Sequence, residues 1–196
     1  RKYEHVRVIQ QPAFVGYGTQ LKAGWEQAKY DYVFYTDSDR QFDIRELARF
    51  MRFVPFYDVV IGHRKERKDP KMRIFYSGLY NLALRFLLGL PFKDIDCAFK
   101  LCKKNVIDTI GPFTQDRGAD AEFLVKAKAH KFSIKQLPVT HRPRVAGTSE
   151  AESGSNQFFV KIKLSIVIAL IKETLLLRKF RNVSRANYRR NILAGR

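Results

Sequence analysis

The chain has 196 residues, with 37 Lys and Arg against 19 Asp and Glu, a formal charge of +18 and a pI near 10.1. An apolar fraction of 45% suits one globular domain with a real core. Two cysteines, Cys97 and Cys102, exclude a disulfide framework and a paired-cysteine zinc site, and favour a reduced, cytosol-facing compartment.

In chain order, Val6 to Ile9 reads as a short buried strand. Gly16-Tyr17-Gly18 opens a helical stretch, Thr19 to Lys29, with Leu21, Trp25 and Ala28 on its apolar side. Tyr32-Val33-Phe34-Tyr35 is a β-prone run of the kind covered on both faces, and it leads into Thr36-Asp37-Ser38-Asp39. Ile44 to Phe53 is helical, and Tyr57 to Gly62 is another buried strand. Lys71 to Leu88 is a long helix stopped by Gly89 and Pro91. A helix from about Asp120 to His130 leads into a strand, Phe132 to Leu137. This alternation predicts an α/β fold with a mostly parallel central sheet flanked by helices. Arg142 to Asn156 reads as a loop rich in Gly, Ser, Thr and charge.

Phe158 to Leu177 is strongly apolar but interrupted by Lys161, Lys163, Lys172 and Glu173. Its longest charge-free run, Leu164 to Ile171, is eight residues, against the 18 or so that a spanning helix needs. The tail, Arg178 to Arg196, carries seven Lys or Arg and no acid. The expectation is two parts: a folded α/β domain over 1–150, and over 151–196 an amphipathic membrane-associated helix with a basic tail. Together these favour an anionic membrane surface on its cytoplasmic side, bound peripherally or through this helix.

The chemistry concentrates at Asp37-Ser38-Asp39, on the carboxyl end of a buried strand, where ligands of open α/β sheets bind. Two carboxylates so close repel unless a hard cation relieves them, and Mg²⁺ or Mn²⁺ takes such oxygens together with phosphate oxygens. The competing reading is an acidic turn capping the helix that starts near Asp43. Arg73, Ser77, Asn81 and Arg85 form a polar row at four-residue spacing on the long helix, and Arg73 with Arg64 could grip phosphate. Arg142-Pro143-Arg144-Val145-Ala146-Gly147-Thr148-Ser149 has the composition of a loop that closes over a diphosphate. The four histidines are scattered and lack ligand spacing.

The ordered series resembles the family 2 glycosyltransferases of GT-A fold, and within them the dolichol- and undecaprenyl-phosphate sugar transferases. It comprises Gly16-x-Gly18 with Gly24, Tyr35-Thr36-Asp37-Ser38-Asp39-Arg40-Gln41, Ile61-Gly62-His63-Arg64, Arg73…Ser77…Asn81, Asp96-Cys97-Ala98-Phe99-Lys100, Asp120-Ala121-Glu122 and Arg144-x-x-Gly147-x-Ser149. The resemblance covers roughly residues 5–150. It implies a nucleotide-diphosphate sugar as donor, a polyprenyl phosphate or other membrane acceptor, and inverting, metal-dependent transfer with Mg²⁺ or Mn²⁺. Asp37 and Asp39 match the metal and nucleotide carboxylates, and Gln41 matches a glutamine near sugar or metal. Arg64, Arg73 and Arg144, with Ser149, match groups that contact donor diphosphate and acceptor phosphate. Asp120 or Glu122 stands where relatives keep a catalytic base, which an acceptor that is already a phosphate does not need. Against the family pattern the first βαβ portion is missing, Lys100 replaces a common arginine and His63 a common serine. The Gln-x-x-Arg-Trp signature of processive synthases is absent, which implies single transfer. The alternative is a basic module that binds nucleic acid or anionic membrane without catalysis. No nucleic-acid motif appears, so no nucleic-acid partner is expected.

Overall fold

A computed structural model of the chain describes residues 5–11, 16–66, 71–111 and 119–143. Four strands, β1 (Tyr32–Thr36), β2 (Val59–Arg64), β3 (Phe99–Lys103) and β4 (Ile134–Val139), form one sheet in the order β1-β3-β2-β4. Around it lie α1 (Tyr17–Glu26), a 3-10 turn (Ile44–Glu46) leading into α2 (Leu47–Met51), α3 (Lys71–Leu88), α4 (Lys104–Ile110) and α5 (Ala119–Ala129).

Alternation along each strand divides the core in two, because successive side chains point to opposite faces. Val33, Val59, Ile61 and Cys102 face Trp25 of α1, Leu84 and Leu88 of α3, Val106 of α4 and Phe123 of α5. Val60, Phe99, Leu101, Leu137 and Val139 face Phe50 of α2 and Val54. Gly62 lies where β2 leaves no room for a side chain. A Cβ there would stand 3.0 Å from Cys97 Sγ and 3.1 Å from Val139 Cγ2. The long helix ends at Leu88, where Gly89 takes φ 64 and reverses the chain. Pro138 is tolerated because β4 is an edge strand.

The mostly parallel sheet expected from the alternation is instead mixed. β3 lies between β1 and β2 and is antiparallel to both, with Thr36 opposite Phe99 and Val59 opposite Cys102; the β2–β4 pair is parallel. The cause is where the chain re-enters after α3. Residues 94–97 return to the carboxyl end of β2, where Asp94 binds Arg64 and Cys97 packs on Gly62. A strand starting from that edge can only run backwards.

The strand read over Val6 to Ile9 is not formed. Val8 is 82% exposed, and the segment belongs to no ladder among the described residues. β propensity supplies no hydrogen-bonding partner. The helix read over Ile44 to Phe53 is shorter, ending at Met51, and both later strands start and end two residues further on than expected.

Candidate active site

Asp37 and Asp39 sit immediately past the carboxyl end of β1, as their position in the sequence implies. Asp39 Oδ1 accepts the backbone N–H of Gln41 at 3.0 Å, which folds the segment back on itself, and Arg40 adopts a left-handed φ of 62 within this turn. The helix cap is made by Asp43, whose side chain accepts from Arg45 N. Asp37 and Asp39 are therefore not the caps of that helix, and the competing reading of the acidic turn loses its basis.

The turn is stitched to the residues after β4. Arg142 N donates to Gln41 O at 2.8 Å, Gln41 Nε2 donates to Arg142 O at 3.2 Å, and Phe42 bridges to His141. Gln41 is buried and its amide holds this junction. The two segments enclose an open cavity of about 560 Å³ lined by Asp37, Ser38, Arg40, Asp43, Arg45 and Arg142, among others. Arg45 forks onto Asp43 at 2.9 and 2.6 Å, and Arg142 Nη2 meets the same carboxylate at 2.8 Å. These hydrogen bonds, from Arg45 first, hold Asp43 below the usual carboxylate range. Both guanidiniums stay exposed, and one cavity so presents an acidic edge beside a basic rim.

The metal that the resemblance implies has a fitting but incomplete donor set here. Asp37 opens on the cavity and Asp39 adjoins it, and both offer the hard oxygens that Mg²⁺ and Mn²⁺ prefer. Among the described residues no three His, Cys, Asp or Glu side chains group as a metal cage. The remaining ligands would come from water and a diphosphate, the usual arrangement for Mg²⁺ in phosphate sites.

Beneath β1 lies a second, buried constellation. Lys100 on β3 is fully buried; its Nζ donates to Cys97 O at 2.7 Å and pairs with Asp120 on α5. Tyr35 Oη donates to Asp120 Oδ1 at 2.5 Å. Burial first, then the Asp120 charge, push the Tyr35 and Tyr17 hydroxyls well above their ordinary range, so both remain protonated donors. Asp120, expected as a base, is thus anchored by a cation and a tyrosine hydroxyl. Glu122, its alternative, is fully buried against Lys126 at 2.7 Å. Arg64, read for phosphate, forks onto Asp94 at 2.6 and 2.7 Å. Burial pulls the Arg64 pKa down, but the bonds and charge of Asp94 more than reverse this. Asn81, in the polar row, donates to Ser77 O at 2.8 Å and accepts from Ile95 N at 2.7 Å, so Asn81 pins α3 to the 94–96 turn, whereas Arg85 at the end of the row is exposed. Arg73 lies in the first turn of α3, and its side chain is outside the described residues, as are Arg144 and Ser149.

Asp96 is half-buried beside these groups. Burial, then the charges of Asp120 and Asp94, push its pKa up to about 7, with Lys100 and Arg64 opposing. A raised folded-state pKa means that the native state holds the proton longer than the unfolded chain does. This group therefore erodes stability as pH rises from about 4 to 7. Asp96→Asn is expected to melt higher than the parent at pH 8, with the advantage vanishing below pH about 4. Parallel melts across pH check this; a pH-independent difference would contradict it.

Sequence reading did not single out Arg40, Arg45 and Asp43 for the cavity. Their signal was present as Arg40-Gln41-Phe42-Asp43-Ile44-Arg45 directly after the acidic pair, but solvated surface turns share that composition.

A family model described as glycosyl transferase family 2 matches residues 1–111. The chain is 28% identical over 138 residues to glycosyltransferase AglD of Haloferax volcanii, covering 66% of this chain and 22% of that protein. It is 29% identical over 136 residues to an undecaprenyl-phosphate 4-deoxy-4-formamido-L-arabinose transferase of Pseudomonas fluorescens, covering 69% of this chain and 39% of that one. The chain so spans well under half the length of these curated relatives. Glucosyl-3-phosphoglycerate synthase of Mycobacterium tuberculosis, solved with Mn²⁺, uridine diphosphate and glucosyl-3-phosphoglycerate, superposes with a TM-score of 0.57 at 16% identity, over 89% of this chain and 56% of that one. That likeness shows the shared fold, the GT-A fold of nucleotide-sugar transferases. With the family model covering more than half of its residues, the chain belongs to glycosyl transferase family 2.

Proposed function

We propose that this chain carries the donor site of an inverting glycosyltransferase that moves a sugar from a nucleoside-diphosphate sugar to a polyprenyl phosphate. The observation that carries the reading is the cavity at the β1 edge, where Asp37 faces the arginine rim of Arg40, Arg45 and Arg142. Carboxylates there suit a cation, and guanidiniums suit diphosphate oxygens through paired donors. The relatives named as undecaprenyl-phosphate transferases support the acceptor class. The synthase solved with Mn²⁺ or Mg²⁺ and uridine diphosphate supports the cofactor and donor class.

In this reading Asp37 and Asp39 hold Mg²⁺ or Mn²⁺, which when bound neutralises the charge that grows on the departing diphosphate. Arg142 and Arg45 orient the diphosphate, while the Gln41–Arg142 junction keeps the rim in register. The acceptor phosphate oxygen attacks the anomeric carbon; the bond to the nucleoside diphosphate breaks with its electron pair, and the configuration inverts. An ionised phosphate needs no base, so Asp120 serves as an anchor for Lys100 and Tyr35 beneath the site. Arg73, Arg144 and Ser149 are proposed contacts for the phosphates. Residues 151–196 are proposed to hold the enzyme at the cytoplasmic face of a membrane. Among the described residues no helix is long and apolar enough to cross one.

The reading is tested by thermal shift with single nucleoside diphosphates. One of them with Mn²⁺ is expected to raise the melting point by about 5–10 °C when present at about a hundred times its Kd. Excess EDTA should remove most of the shift. Melting points indifferent to every nucleotide, with or without metal, would defeat the proposal.

A further inference from the structure

Asp96 belongs to the constellation beneath β1, yet the proposed chemistry leaves it unused. The charges around it are already matched: Arg64 forks onto Asp94, and Lys100 pairs with Asp120. Asp96 itself makes no hydrogen bond or ion pair with any described residue. Two cations thus serve two other carboxylates, and the third is left uncompensated. A half-buried carboxylate with no donor is costly, and burial first among the causes pushes its pKa up to about 7. The donor that the protein does not supply can come from a ligand.

Its position indicates which ligand. In the antiparallel β1–β3 ladder Tyr35 stands opposite Lys100 and Thr36 opposite Phe99. Asp37 and Asp39 therefore leave β1 at the same end of the sheet at which Asp96 leads into β3. The Tyr17 hydroxyl bonds to Asp120, and the charges of Asp37 and Asp96 both reach it. The backbone around Asp96 is held on both sides: Ile95 N donates to Asn81 at 2.7 Å, and Cys97 O accepts from Lys100 at 2.7 Å. A fixed acceptor beside the carboxylates proposed for the diphosphate lies next to whatever that diphosphate carries. In a nucleoside-diphosphate sugar this is the sugar, whose hydroxyls are hydrogen-bond donors.

We infer that Asp96 accepts hydrogen bonds from hydroxyls of the transferred sugar and so selects a neutral sugar over a uronate. A hydroxyl donated to a carboxylate makes a charge-assisted bond. A sugar carboxylate would meet Asp96 as a like charge, with Arg64 and Lys100 engaged elsewhere to relieve neither. A second divalent cation fits less well, because among the described residues no three His, Cys, Asp or Glu side chains group as a metal cage. The inference rests on the donor-site reading and deepens it, from a nucleotide sugar to the charge class of its sugar.

The test uses Asp96→Asn in the full chain, a change that keeps the shape and one acceptor oxygen but removes the charge. Thermal-shift titrations with Mn²⁺, at about pH 8 where the Asp96 carboxyl is ionised, compare ligands built on one nucleoside: the bare diphosphate, its hexose ester and its hexuronate ester. The parent is expected to bind the hexose form at least about tenfold more tightly than the hexuronate form. In Asp96→Asn the gap should narrow to about threefold or less, with the hexuronate gaining and the hexose losing affinity. The Kd of the bare diphosphate should stay within about twofold of the parent, whereas a merely structural role would move all three ligands together. Asp96→Glu, which restores the charge, should restore the discrimination against hexuronate. Equal affinity of the parent for both sugar forms would overturn the inference, as would a gap that Asp96→Asn leaves unchanged or a loss shared by the bare diphosphate. A response to the bare diphosphate without discrimination between sugars sinks this inference alone. Indifference to every nucleoside diphosphate sinks the donor-site reading and this inference with it.

Discussion

Asp39→Ala is expected to lower sugar transfer by about a thousandfold, a loss of about 4 kcal/mol of transition-state stabilisation. The side chain is partly exposed at the end of β1, and its hydrogen bond to Gln41 N is local, so its removal leaves the sheet and both core faces intact. The circular dichroism spectrum should be unchanged and the melting point should fall by no more than a few degrees. The stabilisation by nucleoside diphosphate that depends on Mn²⁺ should disappear with the activity, because in the proposed site the variant removes one of the two carboxylates that would hold the cation. Full transfer by Asp39→Ala, or undiminished transfer by the parent in excess EDTA, would rule out the metal-assisted route.

Lys100→Met should act in the opposite sense, on the fold. The lysine is fully buried, and its ammonium group joins Cys97 O and the Asp120 carboxylate across 20 residues of sequence. Methionine matches the chain length but leaves a buried carboxylate without its cation, and breaking such a pair costs about 3–5 kcal/mol. For a chain of this size that corresponds to a drop in melting point of about 6–20 °C. The double variant Lys100→Met, Asp120→Leu should recover part of the loss, since an apolar pair of similar volume relieves the stranded charge. A single variant that melts within about 1 kcal/mol of the parent would show that Asp120 finds another partner or takes up a proton.

These two sites differ in how far they can be read from the chain. Asp37 and Asp39 are recognisable because the signal is local: a β-prone run, then two acids two residues apart. The long helix is read to both its ends for the same reason, since Gly89 with φ 64 and Pro91 stop it within a few residues. β3 is harder. Phe99-Lys100-Leu101-Cys102-Lys103 alternates a lysine into what turns out to be a buried position, and a strand with a buried charge contradicts every local rule unless its partner is known. Val6 to Ile9 errs the other way, with the right composition and no neighbour to pair with.

The amino-acid sequence by itself determined the order and type of most elements, the family, and the placement of the acidic pair at a sheet edge, because propensity, turn chemistry and motif spacing act over a handful of residues. Tertiary structure alone decided that β3 runs backwards, that Arg64 is taken by Asp94, that Lys100 and Tyr35 converge on Asp120, and that Arg142 reaches the turn at Gln41. Those contacts join residues 20 to 101 positions apart. Their energies come from desolvation and charge pairing, which exist only once the packed core has excluded water.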